Sequence, residues 1–231
     1  MKYPSTTRRP NNSSWPRFAA ALLLAATAAS ALAGPERECG VLEWNYGPFD
    51  YRTMTAHQRM LVEGAHFTPT VENVTRGATG SLGHDIRYTL AVFPNHPRAL
   101  LAMERLVEKE KRNPAEGAEF TIECFYERAL RFKPEDHVPR LFYVNFLIRH
   151  NQLDEARRHL DYVAETTQDN PIAQFNAGML YLDMKDYDKG LIQAHRVIAM
   201  GFDRRELRDR LVAAGRWTES APVEPASAAS R

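Results

Sequence analysis

From residue 97 onward, apolar residues recur at three- and four-residue spacing along nearly the whole chain, the pattern of helices that each bury one face. Pro97 can open the first of these helices, which carries Leu100, Leu101, Leu106 and Val107 and is broken by Asn113-Pro114. Further helices are predicted over 120–132, 139–149, 153–164, 172–184, 187–199 and 204–214, joined by turns of a few residues. Upstream the pattern weakens. Helical signals start at Thr53 or Thr55, run through Met60, Leu61 and Val62, and pause at Pro69; a short helix over 69–74 ends before Gly77 and Gly80. After a loop from Gly77 to Gly83, Ile86, Leu90 and Phe93 give one more apolar face. Before residue 54, Gly40, Trp44, Tyr46, Gly47, Pro48, Phe49 and Tyr51 are too rich in turn formers and rings for a helix, and an irregular arm that packs its rings is predicted. The chain therefore reads as all-α, with an irregular and short-helix cap over 34–84, helical repeats with a capping helix over 85–217, and an Ala-, Pro- and Ser-rich disordered tail over 218–231.

The helices repeat. Ile122, Ala156 and Gly190 are spaced by 34 residues, as are Tyr126, Leu160 and Ala194, and Ala129, Val163 and Val197. Leu147 and Tyr181 keep the same interval, and so do Leu141 and Phe175. Small residues are needed where antiparallel helices cross closely, and a single hairpin cannot bury its apolar face alone, so stacking is the expected solution. With Tyr126-Glu127-Arg128-Ala129-Leu130, Leu153-Asp154-Glu155-Ala156, Gly178, Tyr181 and Gly190, the sequence resembles the tetratricopeptide repeat family. The copies are degenerate: Phe202 stands where a repeat usually closes with proline, and Val144 where a small residue is usual. The resemblance implies antiparallel helix hairpins stacked as a short solenoid, with full copies at 137–170 and 171–204 and a stretched copy upstream. It further implies a groove lined by the first helix of each hairpin, here Leu141, Asn145, Ile148, Arg149, Phe175, Met179, Leu182 and Asp183. That mixture suits an amphipathic helix or extended apolar segment better than a carboxylate clamp. Two alternatives stay open: some of these side chains could contact only the capping helix, and the aromatic arm 44–52 could fold into the groove.

Charge and the N-terminus decide the compartment. Lys+Arg number 30 and Asp+Glu 29, but Lys2, Arg8, Arg9 and Arg17 stand in a stretch, 1–33, that holds no acid. A basic start, an apolar run from Phe18 to Ala33 and the small-x-small end Ala31-Leu32-Ala33 predict a secretory signal peptide over 1–33, with an uncleaved anchor as the alternative. Removal of that segment would shift the net charge from +1 to −3, which argues against nucleic acid as a partner. The expected location is the periplasm of a bacterial cell, and the expected partner is a protein or peptide of the cell envelope. Membrane association would then be peripheral, through that partner. Outside the cytoplasm, Cys39 and Cys124 could form a disulfide; the alternative is a buried Cys124 and a free Cys39.

Catalytic signals are weak. His57, His66, His84 and His96 lie among Glu63, Glu72 and Asp85 in the N-terminal half, but no pair has the spacing of a zinc protease helix. Ser81 sits between glycines without the strand-to-helix context of a nucleophile, and Cys124 falls in mid-helix. The segments His66-Phe67-Thr68-Pro69 and Gly83-His84-Asp85 are where a His–Asp base would be sought. No enzyme activity, metal or cofactor is implied. Three roles follow: a binding adaptor, a small-ligand or metal binder using the His-bearing half, and a subunit that only stabilises a complex.

Overall fold

A computed structural model describes residues 39–202 and 204–219, all within the unit Pro35–Arg231. The expected signal segment 1–33 and the tail beyond residue 219 lie outside the described residues. The described chain has ten helices and no strand: α1 (Ala56–His66), α2 (Pro69–Glu72), α3 (Leu82–Val92), α4 (Pro97–Glu110), α5 (Ile122–Phe132), α6 (His137–Arg149), α7 (Leu153–Thr166), α8 (Pro171–Asp183), α9 (Tyr187–Ala199) and α10 (Glu206–Ala213). None is long and apolar enough to cross a membrane.

Local chemistry sets the helix starts. The Thr55 hydroxyl accepts from the Gln58 amide while the Gln58 side chain accepts from the Thr55 amide, a reciprocal cap on α1. Ser81, His96, Thr121, Asp136, Asn170 and Asp186 each accept from an amide in the first turn of the helix that follows. Proline occupies the first turn of α2, α4 and α8, where its missing N–H costs no intrahelical bond.

Consecutive helices then pack as hairpins, α3 on α4, α6 on α7 and α8 on α9, and the chain stacks them. Helices α2, α4, α6, α8 and α10 contact one another in turn and form one row, with α3, α5, α7 and α9 packed against it. All nine residues of the three 34-residue series are buried. The small positions are small for cause: a Cβ on Gly178 would stand 2.6 Å from Leu207 Cδ2, and one on Gly190 2.5 Å from Leu182 Cδ2. The stretched connection before α5 is not solvent-filled slack, because Ala115 and Ala118 are buried in the main core.

The arm is irregular, as expected, and a disulfide joins Cys39 to Cys124 of α5, 85 residues on. Its path differs from the groove-filling alternative. Arg128 Nη1 donates to the carbonyls of Cys39 (2.8 Å) and Val41 (2.7 Å), Arg131 Nη2 to Gly40 O (2.8 Å), and the Phe49 amide to Val92 O (2.8 Å). Tyr46, Phe49 and Tyr51 pack on Val62, Val92 and Phe93. The arm thus lies on α3 and α5, where a cysteine and two arginines wait for it, and not along the row of α4, α6 and α8.

Candidate functional site

The row of first helices carries two parallel stripes. Val138, Leu141, Asn145 and Ile148 on α6, and Ile172, Phe175, Met179 and Leu182 on α8, follow the three- and four-residue steps that keep side chains on one helical face. The eight expected groove residues fare differently along these stripes. Leu141 is 7% exposed and Leu182 4%, so both belong to the core, and Leu182 shows only an edge, in a depression it lines with Tyr187 and Arg210. Phe175 and Met179 are half-buried in the C-terminal cluster with Leu207 and Leu211 of α10. The Phe175 ring meets Phe202 edge-on at 5.7 Å, Arg210 donates to Met179 O at 3.5 Å, and Arg210 pairs with Asp183 at 2.7 Å. Phe175, Met179, Leu182 and Asp183 thus lie against α10 and the C-terminal cluster, while Leu141 lies in the main core.

Asn145 and Arg149 are exposed and Ile148 is half-buried against the core. Arg149 reaches back to α4, pairing with Glu104 and, at 2.6 Å, with Glu108. Val138 (36% exposed) and Ile172 (59%) open the two stripes and stand 34 residues apart; neither was among the residues expected to bind. At the other end of the row, Arg105 donates to Glu72 O and Lys109 to Val74 O, each at 2.7 Å, so the segment around α2 covers α4 as α10 covers the end of α8. What stays open is the face of α6 and the first turn of α8, edged by Val138, Asn145, Arg149 and Ile172.

The N-terminal histidines separate into two pairs. His66 Nδ1 lies 3.1 Å from Asp85 Oδ1, and its ring stacks on Tyr88 at 4.0 Å. Asp85 is fully buried and also accepts from the amides of Ala78 (2.7 Å) and Thr79 (3.1 Å) and from the Thr79 hydroxyl (2.5 Å). Burial pushes its carboxyl up, but the bonds from Thr79, His66 and the loop amides outweigh it and leave the group below its ordinary value. This carboxylate ties down the loop after α2, and His66 is one of four donors to it.

His96 is fully buried and caps α4, its Nδ1 accepting from the Ala99 amide at 3.2 Å. Nδ1 therefore carries no proton, and Nε2–H donates to Glu63 Oε1 at 3.1 Å. That bond, with help from the Tyr51 hydroxyl and Arg98, holds the Glu63 carboxyl down to about 2 against the cost of burial. Burial pushes His96 below its ordinary value, so the imidazole is neutral at pH 7. His57 and His84 are exposed and join neither pair. Ser81 caps α3 and donates to Glu116 O at 3.4 Å, a structural task, and Cys124 is in the disulfide.

One imidazole–carboxylate group escaped the sequence reading. Glu127 on α5 and Glu155 and His159 on α7 bring one ligand atom each within 4.8 Å of one another. Its single trace in the sequence is the four-residue step from Glu155 to His159, which places both on one face of a helix. Depressions in the surface lie elsewhere: one of 460 Å³ over α1, lined by Met54, Arg59, Met60 and Glu63, and one of 220 Å³ beneath the arm, between Trp44, Arg87, Phe120 and Arg128. Searches of protein-family models, curated proteins and solved structures give no match to this chain, so its geometry is what speaks for its role: an all-helical stack of hairpins, closed at both ends of one row and open in the middle.

Proposed function

We propose that this protein is a tetratricopeptide-like adaptor that binds a peptide or protein segment along the open face of α6 and the first turn of α8. The observation that carries this reading is the pair Val138 and Ile172. These apolar side chains are exposed at equivalent points of two stacked hairpins, on a row whose two ends the chain covers with its own helices. Exposed apolar residues repeated on one face suit an apolar or amphipathic segment, while Asn145 beside them can hydrogen-bond an extended backbone. Export to the periplasm and a partner in the cell envelope belong to the same proposal, and the disulfide between Cys39 and Cys124 accords with an oxidising compartment.

Photocrosslinking in intact cells tests the proposal. A photoreactive residue at position 145 or 172 is expected to trap one dominant envelope protein, and the same probe at Lys189 on α9 is expected not to. Equal trapping from all three positions, or none from 145 and 172, would reject the adaptor reading.

A further inference from the structure

We propose that Glu127, Glu155 and His159 form a binding site for one divalent transition-metal ion of the zinc class, linking α5 to α7. Both helices pack on α6, so an ion held between them would clamp the two second helices across it. The donors come from two separate elements, and one ligand atom of each lies within 4.8 Å of the others, close enough to share an ion. Two carboxylates and one imidazole are a hard–borderline set that suits zinc or manganese and leaves further coordination positions to water. All three side chains are half-buried, and Glu127 makes no hydrogen bond or ion pair among the described residues. Glu127 faces Glu155 with Arg131 and Arg140 as the cations whose fields reach it, neither of them bonded to its carboxylate, and a divalent ion between the two carboxylates would add positive charge at short range.

Around the donors, the Tyr143 hydroxyl donates to Glu155 Oε1 at 3.3 Å and holds that carboxylate in place. Arg140 is the opposing feature. Its Nη1 lies 3.0 Å from His159 Nδ1, and a guanidinium can only donate, so in this state Nδ1 accepts and Nε2 carries the proton. Nε2 is also the nitrogen on the Glu155 side, 3.8 Å from Oε1. Binding through Nε2 moves the proton to Nδ1 and breaks the Arg140 contact. Arg140 keeps two others, to Pro134 O at 3.2 Å and over the Tyr162 ring at 4.1 Å. The ion and Arg140 thus compete for one imidazole, and Arg140 sets the affinity from outside the ligand set.

Zinc titration of the untagged full chain by calorimetry, with cobalt absorption as a second readout, tests this. One equivalent is expected to bind. Glu127→Gln and His159→Gln are each expected to weaken binding beyond the ~10–100-fold loss typical of an outer-shell change. His66→Gln is expected to bind as the parent does, and Arg140→Gln, whose amide oxygen can accept from Nδ1–H, to bind more tightly. Helical circular dichroism of each variant confirms that it is folded, and Glu155→Gln replaces any that is not. No stoichiometric binding by the parent chain, parental affinity in folded Glu127→Gln or His159→Gln, or weaker binding by Arg140→Gln would overturn the proposal.

Discussion

The stack from α6 to α9 and the cap from Cys39 to His96 hold together by different means. In the stack, apolar residues at fixed intervals bury one another: Leu147, Leu160, Val163 and Tyr181 are all at most 1% exposed, with few buried polar groups among them, such as Gln174 on Ala164 O and Thr167, and further contacts at the edges, as where Tyr181 and Lys189 share Asp161. In the cap, Phe67, Val71, Val74, Ile86 and Leu90 join the main core and Val62, Val92 and Phe93 form a second, small apolar cluster, but much of the order comes from a disulfide and from carboxylates with several donors each. Asp50 takes Arg52 and Asn95, Glu63 takes His96, Tyr51 and Arg98, and Asp85 takes Thr79, His66 and two loop amides. Hydrophobic burial is additive and tolerant of exact geometry, whereas a buried charge is stabilising only while all of its partners stay in place. The stack should therefore answer to loss of volume, and the cap to reduction and acid.

The largest effect expected is in the stack. Leu160→Ala removes a fully buried side chain from the centre of α7 and is expected to cost about 2–5 kcal/mol in denaturant unfolding. A change below 1 kcal/mol would mean that the hairpins do not share one core. Reduction of the disulfide, or Cys39→Ser, should cost about 2–4 kcal/mol through the freed 85-residue loop, with loss of protease protection confined to the arm. Equal loss of protection in α8 and α9 would erase the distinction between the two regions. Gly178→Ala pushes a methyl against Leu207 and is expected to cost about 1–3 kcal/mol, releasing α10 before the rest of the stack.

Acid sharpens the comparison further. His96 is depressed in the fold, so below its ordinary 6.5 the unfolded chain binds more protons and stability falls. Glu63 is also depressed, so its contribution is present above 4.5 and is lost as pH falls through about 2. Stability is expected to decline in two limbs, with Glu63→Gln flattening the lower one; an unchanged profile in that variant would show that the network does not couple to folding. The smallest effect belongs to the open face: Ile172→Asp should leave stability within about 0.5 kcal/mol while abolishing the crosslink proposed above.

Most of the helices were legible because their signals are local. Pro97, Asn113-Pro114 and Pro171 punctuate the text, the apolar spacing gives the faces, and the observed ends fall within a few residues of those expected. For the expected groove residues, only the register along each helix was legible. The periodicity aligned Leu141 and Leu182 with their stripes, but a period says which residues line up along a helix and not how deeply the next helix covers them, and both are buried. Of the two histidine pairs, the segments of His66 and Asp85 were singled out together from the sequence, but the bond between these two residues, 19 apart, was not, and the pair His96 and Glu63, 33 apart, left no local signal.

By itself the sequence determined the helices of the described residues, the hairpin repeat and the small positions at Gly178 and Gly190, because propensity, capping and apolar spacing are local and the repeat shows as a fixed interval of 34 residues. Only the tertiary structure decided that the arm crosses α3 and α5, that Cys39 meets Cys124, that α2 and α10 close the row, and that Glu127 comes to face Glu155 and His159. Those outcomes depend on which surfaces remain unburied after the hairpins have stacked, and that quantity belongs to the packed chain as a whole.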